Sequence, residues 1–253
     1  AARRVFGVIG RNSEEVENDC GNDYGVLDGS DAVVMENVCF GYDGASEMAL
    51  KGVSLTIPRG KVIALIGKNG AGKSTIANLL VSLHEPTSGK ITISSNDDNT
   101  STPITSLTKK TKRHLIGLIS QNPSLFDASV LHNITYANPH ATPTQINETL
   151  SLLRAESFVT DAATTPCGKN GNNFSGGQRQ KLALARLLIQ NPRLLMIWDE
   201  PTNNLDAQGE ETLKGMIEWN KSRKERERVG ILMIAHRGEC LKYVDEVVVL
   251  ERG

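Results

Sequence analysis

From residue 33 onward the apolar side chains come mostly in short unbroken runs. VVMENVCF at 33–40 and GVSLTI at 52–57 have the length and β-branched content of strands, and Pro58-Arg59-Gly60 turns the chain into KVIALI at 61–66. Apolar runs of this length between turn residues are the pattern of strands buried on both faces. GKITIS at 89–94, HLIGLIS at 114–120, LLMIWDE at 194–200, VGILMIAH at 229–236 and EVVVL at 246–250 repeat it. Between these runs the period lengthens. A glycine-rich loop leads into a helix at about 74–83. TPTQINETLSLLR at 142–154 sets Ile146, Leu150 and Leu153 on one helical face behind threonines suited to capping, residues 176–190 form a Leu/Ala-rich helix, and 206–219 another.

Strands alternating with helices predict an α/β core around a mostly parallel sheet, with the early strands as a β subdomain and the helical middle, about 122–190, as an inserted subdomain. The polar stretch at 94–113, SSNDDNTSTPITSLTKKTKR, has no periodicity and is expected as a surface loop. No internal repeat is present. The start, AARRVFGVIG, reads as the end of a helix, and the acidic, Gly/Asn-rich residues that follow read as a linker covering 1–31.

A net charge of −1 speaks against an electrostatic grip on nucleic acid. Four cysteines far apart, with no C-x-x-C pair, speak against a zinc site or a disulfide framework. No stretch approaches the roughly 20 apolar residues of a membrane span. The basic run KSRKERER at 221–228 reads as a solvated helix end without a role.

The chemistry begins at GKNGAGKS, residues 67–74, which fits G-x-x-x-x-G-K-[ST] between a predicted strand and a predicted helix. In such a loop the backbone N–H groups of Gly67, Asn69, Gly70, Ala71 and Gly72 close around phosphate oxygens. Lys73 reaches the β- and γ-phosphates, Ser74 offers its hydroxyl to Mg²⁺, and Thr75 follows. Asp199 and Glu200 end a buried strand, where side chains point into the crevice at which parallel sheets bind ligands. Asp199 suits a Mg²⁺ shell, and Glu200 suits polarising a water for in-line attack on the γ-phosphorus. A second phosphate-facing helix start appears at NFSGGQRQ, residues 173–180. One nucleotide does not need two.

These segments, in this order and spacing, resemble those of ABC-type ATPases over residues 33–253. The matching parts are the Walker A loop at 67–74, the signature FSGGQ at 174–178, a Walker B strand ending at Asp199 and Glu200, and a lone His236 after ILMIA. The resemblance implies a P-loop NTPase core that binds ATP with Mg²⁺. Tyr42 would stack on adenine, Gln121 would touch Mg²⁺ and the attacking water, and His236 would contact the γ-phosphate. Asp206 would close a loop across a dimer interface. Ser175, Gly176, Gly177 and Gln178 would then cap the nucleotide of a second, head-to-tail ATPase domain, identical or not, which answers why one chain carries both phosphate-facing helices. From the residues alone, Tyr42 also reads as a strand-end aromatic, Gln121 as a polar loop residue and His236 as a hydrogen-bonded structural histidine.

SQNPSLFDASVLHNITYANP at 120–139 resembles the stretch through which exporters of this family meet their membrane domain, and AARRVF resembles the end of an exporter's last membrane helix. The expectation is the ATPase domain of an exporter of the subfamily B half-transporter type. A transmembrane domain would precede residue 1, and this domain would sit on the cytosolic or organelle-matrix side. The alternative is a non-transporting ABC ATPase, for which a tandem second ATPase or a coiled coil is expected and neither is visible. Departures from the family pattern are TPCGKNG at 165–171 in place of an acidic TEVGERG-like stretch, Phe174 for leucine, NNLD at 203–206 for SALD, and a bulky Trp198.

Overall fold

The protein is described by a computed structural model covering residues 31–95, 100–199, 207–235 and 238–251. Among the described residues nine strands and six α-helices follow in order. They are β1 (Ala32–Phe40), β2 (Leu50–Pro58), β3 (Val62–Gly67), α1 (Lys73–Leu80), β4 (Ser88–Ser95), β5 (Thr100–Pro103), α2 (Lys109–Leu115) and β6 (Ile116–Ile119). Then come α3 (Val130–Thr135), α4 (Pro143–Leu152), α5 (Gly176–Gln190), β7 (Leu195–Asp199), α6 (Ala207–Ser222), β8 (Gly230–Ile234) and β9 (Glu246–Leu250).

Two sheets form. β2-β1-β4-β5 is antiparallel, with Val33 opposite Ile57 on one side and Ile93 on the other. Along β1 the buried residues are Ala32, Val33, Met35, Val38 and Phe40, a sequence that breaks strict alternation. The register shifts between Met35 and Val38, where Asn37 takes φ 48°, and this irregularity returns Val38 and Phe40 to the core face. β6-β7-β8-β3-β9 is parallel throughout.

The parallel sheet has a core on each face, which is why its strands read as unbroken apolar runs. Along β7, Leu195 and Ile197 join the core shared with α1 and the antiparallel sheet, whereas Met196 and Trp198 join the one covered by α3–α6. α5 lies very close to β6: a Cβ on Gly117 would fall 2.1 Å from Leu187 Cδ1, so only glycine fits without repacking.

The polar stretch expected as a loop is structured in its described part. β5 pairs with β4, Ile104 and Leu107 are buried, and α2 occupies residues expected to begin a strand, so β6 starts at Ile116 and not at His114. Thr108 caps α2 by accepting the Thr111 N–H at 3.1 Å, and Thr111 is buried one turn before Leu115. A threonine on the inward face looks polar in a hydropathy pattern, which hid the helix.

Candidate active site

β3 delivers the chain to the loop at 67–72, and α1 leaves it. Gly72 is the N-cap of α1 at φ 100°, and a Cβ there would lie 2.5 Å from Leu50 Cδ2 and 2.8 Å from the Ala49 carbonyl oxygen. That backbone needs glycine. A glycine cap offers no side-chain acceptor, and the first turn of α1 holds no acid, so its first amides are left for an external anion. Asn69, Gly70 and Ser74 are exposed at this helix start, and Ala71 is buried beneath it. Lys73 is only 6% exposed, and its Nζ donates to the carbonyl oxygens of Gly67 at 2.8 Å and Lys68 at 3.0 Å. The loop's own carbonyls hold the ammonium where it can be handed to a phosphate.

Tyr42, 42% exposed, is fixed beside this helix. Its hydroxyl lies 3.1 Å from Thr75 Oγ1, and its ring makes edge contacts with Phe40 and His84 at centroid distances of 4.8 and 5.5 Å. The buried Thr75 hydroxyl is thus engaged with Tyr42. His84, absent from the motif reading, completes the aromatic cluster; no spacing signal marks it.

Strand register brings two further candidates to one edge. Leu65 of β3 pairs with Ile234 of β8, which pairs with Asp199 of β7, and Ile119 of β6 pairs with Trp198. The half-buried carboxylate of Asp199 and the exposed Gln121, two residues past β6, therefore sit at the same carboxyl-terminal edge as the loop following β3. Glu200, His236 and Asp206 lie outside the described residues, as do Asn203, Asn204 and Leu205.

The second helix start is a separate neighbourhood. Ser175 caps α5 by accepting the Gln178 N–H at 3.3 Å, and Gln178 Oε1 accepts the Ser175 N–H at 2.9 Å, a reciprocal capping box. Gly176 and Gly177 form the first turn, which contains no acid. Phe174, in the place of the family's leucine, is buried against Phe158 with ring centroids 5.7 Å apart, and Arg179 Nη1 donates to its carbonyl at 2.9 Å. The preceding turn carries positive φ at Gly168, Asn170 and Gly171, so the stretch that lacks the family's acids is a tight backbone turn exposing Lys169.

Behind α5 a buried polar network stands out that motif spacing did not flag. Asn133 accepts from the Phe126 N–H and from Arg186 Nη2, both at 2.8 Å, and donates to the carbonyls of Phe126 and Ser129 at 3.0 Å and to Cys167 Sγ at 3.3 Å. Burial pulls the Arg186 guanidinium below its usual value and pushes the Cys167 thiol up. The network rigidifies the segment that presents exposed Phe126 and Tyr136, whose rings are 4.7 Å apart.

Among the described residues no three His, Cys, Asp or Glu side chains gather as a cage. A hydroxyl (Ser74) and one carboxylate (Asp199) at a shared sheet edge are hard oxygen donors, the set expected for Mg²⁺ held largely by substrate phosphates and water.

The family model described as ABC transporter matches residues 50–203, which contain the glycine loop, both helix starts and the Asp199 strand. The chain belongs to the ABC transporter family. It is an ATP-binding ATPase domain of that family, with a P-loop NTPase fold. It is 32% identical over its full length to ABC transporter B family member 13 of Arabidopsis thaliana, covering 20% of that protein. It is 34% identical over its full length to an ATP-dependent lipid A-core flippase of Vibrio parahaemolyticus, covering 41%. A bacterial Atm1-family ABC exporter solved with ATP bound superimposes with a TM-score of 0.78 at 30% identity, over 88% of this chain and 37% of that one. The chain spans a fifth to two fifths of the length of these relatives.

Proposed function

We propose that this domain is the motor of an ABC exporter and that its two phosphate-facing helices serve two different nucleotides in a head-to-tail pair of such domains. The observation that carries the reading is their separation. Leu50 and Ala49 pack against the loop at 67–74 and Tyr42 against Thr75 just after it, whereas Phe158 and Arg179 hold Phe174 beside Ser175, and the two sets share no residue. Likeness to the ATP-bound exporter and the flippase supports the transport role.

In this reading the amides at 67–74 and Lys73 hold the β- and γ-phosphates, and Tyr42 faces adenine. Ser74, Asp199 and Gln121 would hold Mg²⁺, which neutralises phosphate charge. Glu200 takes the proton of the attacking water, and His236 contacts the γ-phosphate. Ser175, Gly176, Gly177 and Gln178 close over the partner domain's nucleotide with the positive end of α5. The exposed pair Phe126 and Tyr136 suits docking to a transmembrane domain preceding this one, with the ATPase on the cytosolic or organelle-matrix side.

The test is complementation. Lys73→Ala removes the P-loop cation, and Ser175→Arg blocks whichever site the signature faces. In trans, a mixed dimer retains one complete site, so an equal mixture recovers at most about a quarter of parent turnover, and less if the sites are coupled. In cis, mixing restores nothing. Recovery well above either single variant is expected. No recovery, despite mixed dimers formed in ATP and a wild-type/Ser175→Arg dimer that keeps one working site, defeats the trans reading.

A further inference from the structure

Tyr42 opens the loop between β1 and β2, where an exposed aromatic side chain has no core to hold it still. Its hydroxyl meets Thr75 Oγ1 at 3.1 Å. That contact lies on the line from Cβ through the ring to the oxygen. It therefore leaves the ring free to turn about that line, the soft χ2 torsion of a tyrosine. Only groups beside the ring stop the turn. The Phe40 and His84 rings lie 4.8 and 5.5 Å from the Tyr42 centroid, at interplanar angles of 85° and 87°. They are tilted by only 34° from one another, 5.3 Å apart. Perpendicular contacts at these separations are a favoured geometry of aromatic pairs.

The two supports differ. Phe40 is 6% exposed and belongs to the core, whereas His84 is exposed. Among the described residues the His84 side chain makes no hydrogen bond and no ion pair, and its ring contacts are these two. Backbone sets its place. Ser82 turns the chain off α1 at φ 56°, its N–H donating to the Leu79 carbonyl at 3.0 Å and the Leu83 N–H to the Asn78 carbonyl at 2.9 Å. On the far side of His84, the Thr87 N–H donates to the Cys39 carbonyl at 2.9 Å, and Thr87 Oγ1 accepts the Gly41 N–H at 3.3 Å. Both chain neighbours of Phe40 are thus tied to the turn that carries His84. A turn stitched at both ends delivers one exposed imidazole to the side of one tyrosine, and burial gives no reason for it to be there.

We propose that His84 is a positioning residue for the nucleotide: with Phe40 it fixes the plane of the Tyr42 ring, so that the ring is oriented before the base arrives. The proposal rests on the reading above that Tyr42 faces adenine. Fixing the ring in advance removes an ordering cost that is otherwise subtracted from affinity. His84 acts through Tyr42 and not on the phosphates, so its loss weakens base binding alone.

Calorimetric titration of the full chain tests this, with a non-hydrolysable ATP analogue and with inorganic tripolyphosphate, which has the phosphates and no base. His84→Ala should weaken the analogue about two- to tenfold, the range of one aromatic pair, and leave tripolyphosphate unchanged. His84→Phe returns a ring to the same turn and should recover most of the loss. In a Tyr42→Ala background, His84→Ala should cost nothing further, since no ring is left to hold. Thermal unfolding midpoints equal to the parent's report that the variants are folded. Equal weakening of analogue and tripolyphosphate overturns the proposal, because His84 would then support the loop as a whole. So does a further loss in the Tyr42→Ala background, which would mean that His84 meets the base itself, or no recovery in His84→Phe. Tyr42→Ala alone separates the proposal from the reading beneath it. If Tyr42→Ala weakens the analogue and His84→Ala does not, only the role of His84 falls. If neither does, the adenine contact of Tyr42 falls and the proposal with it.

Discussion

Ser175 and Gln178 hold one another: the hydroxyl of the first accepts the N–H of the second at 3.3 Å, and the amide oxygen of the second accepts the N–H of the first at 2.9 Å. The pair that the family resemblance assigns to a partner's nucleotide is thus also a capping box starting the longest helix of the inserted region. The proposed reading thus places a structural and a functional role on the same two side chains.

They can be separated. Ser175→Ala removes the cap, which is typically worth about 1 kcal/mol, and lowers the midpoint of thermal unfolding by about 2–4 °C for a domain of this size. Ser175→Thr keeps a capping hydroxyl and should stay within about 1 °C of the parent. At 25 °C both variants remain folded, so any turnover lost by Ser175→Ala beyond that of Ser175→Thr measures the hydroxyl's contact with nucleotide. Equal unfolding midpoints for Ala and parent would remove the capping role.

Lys73 has a different signature. Its ammonium is buried and held by two loop carbonyls, so Lys73→Ala leaves the Gly67 and Lys68 carbonyls without that donor and, in the proposed reading, the phosphate site without its cation. ATP affinity should fall at least about tenfold and turnover about 10²–10³-fold, as when a preorganised electrostatic group is lost. Fluorescent-nucleotide titration and phosphate release measure the two separately. Unchanged affinity would place Lys73 outside phosphate binding.

Much of this was legible in the residues. α5 occupies the predicted 176–190, because its Leu/Ala content and its capping residues agree, and the parallel strands announced themselves as unbroken apolar runs because both faces are covered. Within the candidate site, legibility was greatest where backbone geometry demands a residue type, as at Gly72. What was hidden depended on long-range pairing or inward polar groups. Thr111 inside α2, Asn133 bound to Phe126 and Arg186, and Arg59 gathering three distant carbonyls have no local pattern, since each is chosen by a partner far along the chain.

Trp198, bulky for its place before Asp199, is accommodated at 1% exposure between β7 and the helical layer. Its indole Nε1 finds no hydrogen-bond partner among the described residues. A buried unmet donor costs about 1–3 kcal/mol, which offsets the loss of ring area in Trp198→Phe. That variant should therefore unfold in urea within about 1 kcal/mol of the parent, far from the roughly 3–5 kcal/mol of a large aromatic truncated to alanine. A loss near the alanine value would mean that the indole N–H is satisfied.

Cys167 supplies a pH test of the buried network. Burial raises its thiol above the ordinary value of 9.0, opposed by the nearby Arg186 charge and the Asn133 hydrogen bond. The folded state thus favours the neutral thiol more than the unfolded state does. For a raised value, the stabilising contribution is fully present below the unfolded-state value and is lost as pH rises toward and through the folded-state value. The loss therefore begins near pH 9. Cys167→Ala lacks this group and leaves a small cavity, an offset that does not vary with pH, whereas lysines and tyrosines titrate alike in both proteins. Urea unfolding of parent and variant between about pH 7.5 and 10.5 should show the parent's advantage constant up to about pH 8.5 and shrinking above it. An advantage that holds constant across the range, or grows, would mean that the thiol ionises at least as readily in the folded protein as in the unfolded chain, and would remove burial as the force acting on it.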